Sequence, residues 1–219
     1  MKVLSKRSLA ATVDSVNDAL FLGRAIPAGE KLRVARWLAS RQRVKHSYAG
    51  LPAPTDADLK GIKLFTGEPV TTGAGTCHIL GEEALRIMLL LGAKDAAVRE
   101  GIRRANISMI ARINRPDAGG YCCGKCSVAY WRTLLAGGLD NQEARLANGL
   151  KSLKKYRDGK GRWGHYPFYY ALLALSEMDS KEAIAEIRYA APILGRMRGG
   201  DDVYALRRRQ LAERVLARC

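Results

Sequence analysis

This 219-residue chain has no long apolar run. Although 47% of its residues are hydrophobic, no stretch of about 18 apolar residues occurs, so the reading is a soluble globular chain without a membrane span. Alternating strand-like runs are nearly absent, which leaves an all-α class. Acidic residues are scarce, 21 Asp and Glu against 37 Lys and Arg, giving a net charge of +16 that attracts phosphate polyanions. Zinc-finger, RRM and helix-turn-helix signatures are missing, so nothing marks an element that reads bases. The basic residues are scattered, and the densest run is Arg207, Arg208 and Arg209, with Arg214 and Arg218, in a final helix over 201–219. A secretory signal is not expected either. Lys2, Lys6 and Arg7 would suit one, but Asp14, Asn17 and Asp18 interrupt its apolar core. The first 26 residues read instead as a helix with Leu9, Val13, Val16 and Leu20 on one face. The expected compartment is the cytoplasm, where thiols stay reduced and clustered cysteines read as ligands or nucleophiles.

What is present is helical spacing punctuated by Gly, Pro and Asp. Pro27 starts one helix and Pro167 another. Thr55 with Asp58 caps a short helix inside a long loop over 44–76. Cys77, Leu80, Ala84, Met88 and Leu91 form a single stripe. Four segments repeat an apolar residue followed four positions later by a polar one: Leu38 and Gln42, Ile110 and Asn114, Leu153 and Arg157, Leu194 and Arg198. In three of them an aromatic follows a polar turn, at Tyr48, Tyr121 and Trp163. The intervening helices close on Asp95, Asp140 and Asp179, each placed to cap the next helix. The unit is a helical hairpin of about 40 residues, repeated over 27–200 within a single domain.

"WLASRQ" at 37–42, "GRW" at 161–163 and "GGY" at 119–121 resemble the QW repeat of terpenoid cyclases and protein prenyltransferase β subunits. That resemblance implies an α/α toroid. Four hairpins are fewer than a closed ring of that family uses, so the expected form is an open arc or small toroid completed by a partner protein or a second copy.

The stretch "GGYCCGKCSVAYWRTLLAGG", 119–138, gathers three of the five cysteines. If the hairpins stack in register, Cys77, Cys122, Cys123, Cys126 and His165 lie at the starts of equivalent helices and share one rim. Helix N-termini favour thiolates, and Cys123-x-x-Cys126 has ligand-pair spacing. The expected site is zinc on Cys123, Cys126 and His165, with Cys77 or Cys122 as fourth ligand; an iron–sulfur cluster is the runner-up. His46 and His78 are reserve ligands, and thiols packed as small hydrophobes are the bland alternative. The prenyltransferase likeness implies the same, since "GKCSVAYW" looks like that family's cysteine element and "HYPFYYALLALS" its histidine element. Gly124, however, stands where the family has a ligating Asp. The acidic cluster of the cyclases is missing too.

Two functions follow. In one, a zinc-bound thiolate or water meets an apolar or diphosphate-bearing substrate lined by Tyr130, Trp131, Phe168, Tyr169 and Tyr170. In the other, the chain is a non-catalytic scaffold that binds protein or nucleic acid through its basic surface, and the metal pins its repeats together.

Overall fold

The structure is a computed structural model that describes residues 1–113, 115–195 and 200–219. Asn114 and Arg198 of the repeat pattern lie outside the described residues. Helices carry the fold: α1 Leu9–Phe21, α2 Ala28–Ser40, α3 Gly73–Leu91, α4 Ala96–Ile113, α5 Gly124–Leu135, α6 Gln142–Lys155, α7 Phe168–Ser176, α8 Lys181–Leu194 and α9 Val203–Leu216. Among the described residues the only sheet is an antiparallel ribbon of β1 Ile62–Lys63 and β2 Pro69–Val70 in the long loop. None of the described helices is long and apolar enough to cross a membrane.

Most helix starts follow local chemistry. The side chains of Ser8, Thr72, Ser180 and Asp202 each accept a backbone N–H from the first turn of α1, α3, α8 and α9. Pro27 and Pro167 immediately precede α2 and α7. Asp95 caps α4 as its spacing predicts, accepting from the Val98 N–H at 3.1 Å. Asp140 and Asp179 do not cap their helices. Asn141, in a left-handed conformation, precedes α6, while Asp140 takes the Arg145 guanidinium at 2.7 Å. Ser180 caps α8, and the fully exposed Asp179 pairs with Arg218. Asp58 does more than hold the short turn at 58–60. Its carboxylate accepts from the Thr55 N–H and also from the Ser8 hydroxyl and the Leu9 and Ala10 N–H groups, so a loop residue caps α1 from outside.

Odd-numbered helices pack on one another in succession: α1 on α3, α3 on α5, α5 on α7 and α7 on α9. Even-numbered helices lie behind them, α2 on α3 and α4, α6 on α5 and α8, α8 on α7 and α9. Residues 126–134 of α5 are buried without interruption, as befits a helix covered on every side. The core clusters around Trp131, Tyr130, Tyr170 and Trp163, with a second cluster between α1, α2 and α3. Of the four apolar repeat positions, Leu38, Leu153 and Leu194 are buried and Ile110 half-buried. α9 reaches back to α1, where Arg207 pairs with Asp14 at 2.7 Å and Asp18 at 3.1 Å.

Candidate metal centre

The long loop, the start of α3 and the start of α5 meet at one place. Thr72 opens α3, which presents His78 in its second turn; the extended residues 119–123 then deliver Cys122 and Cys123, and Cys126 follows in the first turn of α5. The approach of these segments depends on glycine. A Cβ on Gly124 would lie 2.1 Å from the His165 carbonyl oxygen, and one on Gly119 would lie 2.2 Å from the Gly149 nitrogen. The Trp131 indole N–H donates to the Gly119 carbonyl at 2.6 Å and fixes the segment that leads to the thiols.

His78 Nδ1 lies 3.2 Å from Cys122 Sγ and 3.8 Å from Cys126 Sγ, and the three donor atoms are all within 4.8 Å of one another. A tetrahedral zinc ion sets S···N and S···S edges of roughly 3.5–3.8 Å. The trio can therefore hold a metal ion with little rearrangement. Cys123 joins it from the side, its Sγ 3.5 Å from that of Cys126. The imidazole is held by aromatic neighbours: Tyr48 packs on it at a tilt with centroids 4.0 Å apart, Tyr121 packs at 5.6 Å, and the Arg112 guanidinium lies 4.9 Å from the Tyr48 ring. Tyr48 comes from a tight loop in which Arg43, His46 and Ala49 all have positive φ, a conformation that side chains other than glycine rarely adopt.

The electrostatics divide the thiols. Burial lifts the Cys126 thiol far above its ordinary range, and the charge of Glu82 adds to the effect. Burial lifts Cys122 as well. Burial also opposes charge on Cys123, yet the backbone N–H groups of Cys126 and Lys125 outweigh it and leave that thiol below its ordinary range. Burial and the nearby Arg112 lower His78, favouring the neutral imidazole that ligates metals.

Beneath the cluster lies Glu82, one turn after His78 on the same helix face. It is 0% exposed, and neither carboxylate oxygen has a hydrogen-bond partner. Burial, then Glu83, then Cys123 push its pKa well up. The Tyr121 hydroxyl above is likewise buried and unpartnered. Glu83, its sequence neighbour, is fully engaged by Arg132, Tyr170 and Asn17. Two adjacent carboxylates thus meet opposite environments, and only the one beside the thiols is orphaned.

His165, expected among the ligands, is not brought to the thiols. Only its backbone carbonyl approaches α5, while its exposed ring stacks on Tyr156 with centroids 4.8 Å apart. The histidine that meets the thiols is His78, because the longer α3 projects its second turn over the start of α5. Cys77 is half-buried one position earlier and is not one of the trio. The expected substrate aromatics are also placed differently. Tyr130 and Trp131 are core residues, and Tyr130 accepts from Arg145 at 3.1 Å. Tyr170 is buried and donates to Glu83. Tyr169 is half-buried under the Arg208 guanidinium of α9. Tyr130, Trp131 and Tyr170 thus sit in the space between helices. Glu82 went unread in the sequence, although His78-x3-Glu82 at helical spacing was a signal for it. In comparisons with known proteins, no family, curated protein or solved structure matched the chain.

Proposed function

We propose that the protein is a zinc–thiolate protein in which His78, Cys122 and Cys126 hold the ion, Cys123 closes the tetrahedron, and the ion clamps α3 to the start of α5. The donor trio within 4.8 Å carries this reading. It is reinforced by the Glu82 carboxylate, whose burial without a partner is costly unless a cation lies close by. Sulfur and imidazole donors in a reduced compartment favour zinc over harder ions. The role is that of a structural pin. Tyr130, Trp131 and Tyr170 are packed as core, which favours the pin over a substrate groove lined by them.

The same reading takes the fold as a small α/α toroid, odd helices inside and even helices outside. Two polar repeat positions support it by acting alike. Gln42 at the end of α2 bonds the Gly101 carbonyl of α4, and Arg157 just beyond α6 binds Glu186 of α8, so each ties one outer helix to the next. The Arg207 link from α9 to α1 favours a ring over an open arc.

The test is metal content after purification without chelators. One zinc per chain, lost in Cys126→Ser and Cys122→Ser but retained in His165→Ala, is the expected result. Chelation should lower the melting temperature of the native chain and not that of Cys126→Ser. A second reading has one observation in its favour, the 3.5 Å contact between a thiol below its ordinary range and a buried partner, as in a metal-free dithiol. Protein without metal, in which Cys123 and Cys126 oxidise together, would replace zinc by that reading.

A further inference from the structure

Away from the thiols, the C-terminal ends of the odd helices converge on a pocket of about 210 Å³. Every odd helix contributes to it: α1 through Asn17, Leu20 and Phe21, α3 through Arg86, α5 through Arg132, the end of α7 through Leu173 and Glu177, α9 and the residues after it through Arg214 and Arg218. Phe65 of the long loop completes the lining.

Its charge is unbalanced. Arg86 and Arg132 are among the most buried cations of the chain, with side chains 8% and 2% exposed. Both bind Glu177, Arg86 at 2.8 Å and Arg132 at 2.9 Å; Arg132 also pairs with Glu83 and Arg86 with the Asn17 amide oxygen. Two guanidiniums and two carboxylates make this floor neutral. Arg214 and Arg218 then add positive charge at the rim. Arg214 lies 3.9 Å over the Phe21 ring and donates to the Phe21 carbonyl, and Arg218 holds the last carbonyls of α7. Asp179, which pairs with Arg218, is fully exposed and screened by water. Burial and the neighbouring Arg132 destabilise the charge on Arg86, which an added anion would relieve. Apart from Ser176, whose hydroxyl donates to the Leu173 carbonyl, the remaining walls are apolar, with Phe65 and Leu173 at depth and Leu20 half-exposed at the lip.

We propose that this pocket binds a small amphiphilic anion, an oxyanion head among the guanidiniums and a short apolar body against Phe21, Phe65 and Leu173. Pockets for drug-sized ligands run to roughly 300–1,000 Å³, so the body is short. The carboxylate and the phosphate monoester share this chemistry. Separate probes distinguish them.

Calorimetric titration of the full chain with hexanoate, hexyl phosphate, inorganic phosphate and hexanol tests the site. At least one of the two amphiphilic anions should bind one per chain in the roughly millimolar range or tighter, with hexanol and inorganic phosphate much weaker. Arg214→Gln should weaken that binding about tenfold, the size of one lost charge-assisted hydrogen bond. Leu20→Glu, which places a carboxylate at the lip, should weaken it as well. Both positions are solvent-exposed, so melting curves should show either variant folded. Arg103→Gln, on the exposed face of α4, should change nothing. No saturable binding of either amphiphilic anion overturns the proposal. So does hexanol or inorganic phosphate binding as tightly as they do, or equal weakening by Arg103→Gln, which would mark general attraction to a basic surface.

Discussion

Glu82 is the most informative side chain. A buried polar group without a partner costs about 1–3 kcal/mol, so Glu82→Met, similar in length and apolar, should raise the stability of the metal-free protein by that amount in denaturant titrations. The same substitution should weaken zinc binding if the carboxylate faces the ion. Glu83 answers to pH in the opposite sense. Burial works to raise its pKa, but Arg132 and Arg86 outweigh it and hold the group below its ordinary 4.5. A depressed carboxyl contributes stability that is present above the unfolded value and lost as pH falls through the folded one. Unfolding followed from pH 7 down to about 3 should therefore show a loss beginning near pH 4.5, and Glu83→Gln should remove part of it while lowering stability at pH 7 by roughly 1–3 kcal/mol. The thiol cluster could be read from the sequence because its members lie within five positions. The histidine could not. Residues 77 and 78 sit about 100° apart on one helix, and periodicity alone does not say which of them faces the following repeat.

Among the elements, α6 shows where tertiary packing overrides propensity. Alanine is the better helix former than glycine by about 1 kcal/mol, so Gly149→Ala in isolation would strengthen the helix. In place, its Cβ would meet the Trp131 indole nitrogen at 2.4 Å and the Gly119 carbonyl at 2.9 Å. The substitution should instead destabilise by about 1–3 kcal/mol, measured by thermal or urea unfolding, and shift Trp131 fluorescence. A neutral or stabilised variant would mean that α6 and the 119–120 segment are looser than described. Helix positions were largely legible, since Pro27, Pro167, Asp95 and the α3 stripe are local signals. Caps supplied from a distance were not. Asp58 reaches α1 across about 50 positions, and Asp179 was diverted by Arg218, 39 positions on, whose approach only the folded chain defines; Asp140 was diverted locally, by Arg145 one turn on.

Across the whole molecule the decisive contact is Arg207. Its guanidinium is 6% exposed and bonds Asp14, Asp18 and the Phe65 carbonyl, with its charge over the Phe65 ring. Arg207→Met keeps much of the stem and removes the charge. It should cost about 1–3 kcal/mol, discounted for the partly exposed aspartates, and proteolysis should then cut first at the α1–α9 junction. Unchanged stability and cleavage elsewhere would show that α9 is held by its apolar face alone. This link joins residues 193 positions apart. Contacts between sequence neighbours can form as soon as a hairpin is made, but this one requires closure of almost the entire chain, and such long-range closure comes late and slowly. Until then Phe21 and Phe65 lack the cover that Arg207 and Arg214 give them, so the nascent chain carries an uncovered aromatic pair at least until residue 214 has been made.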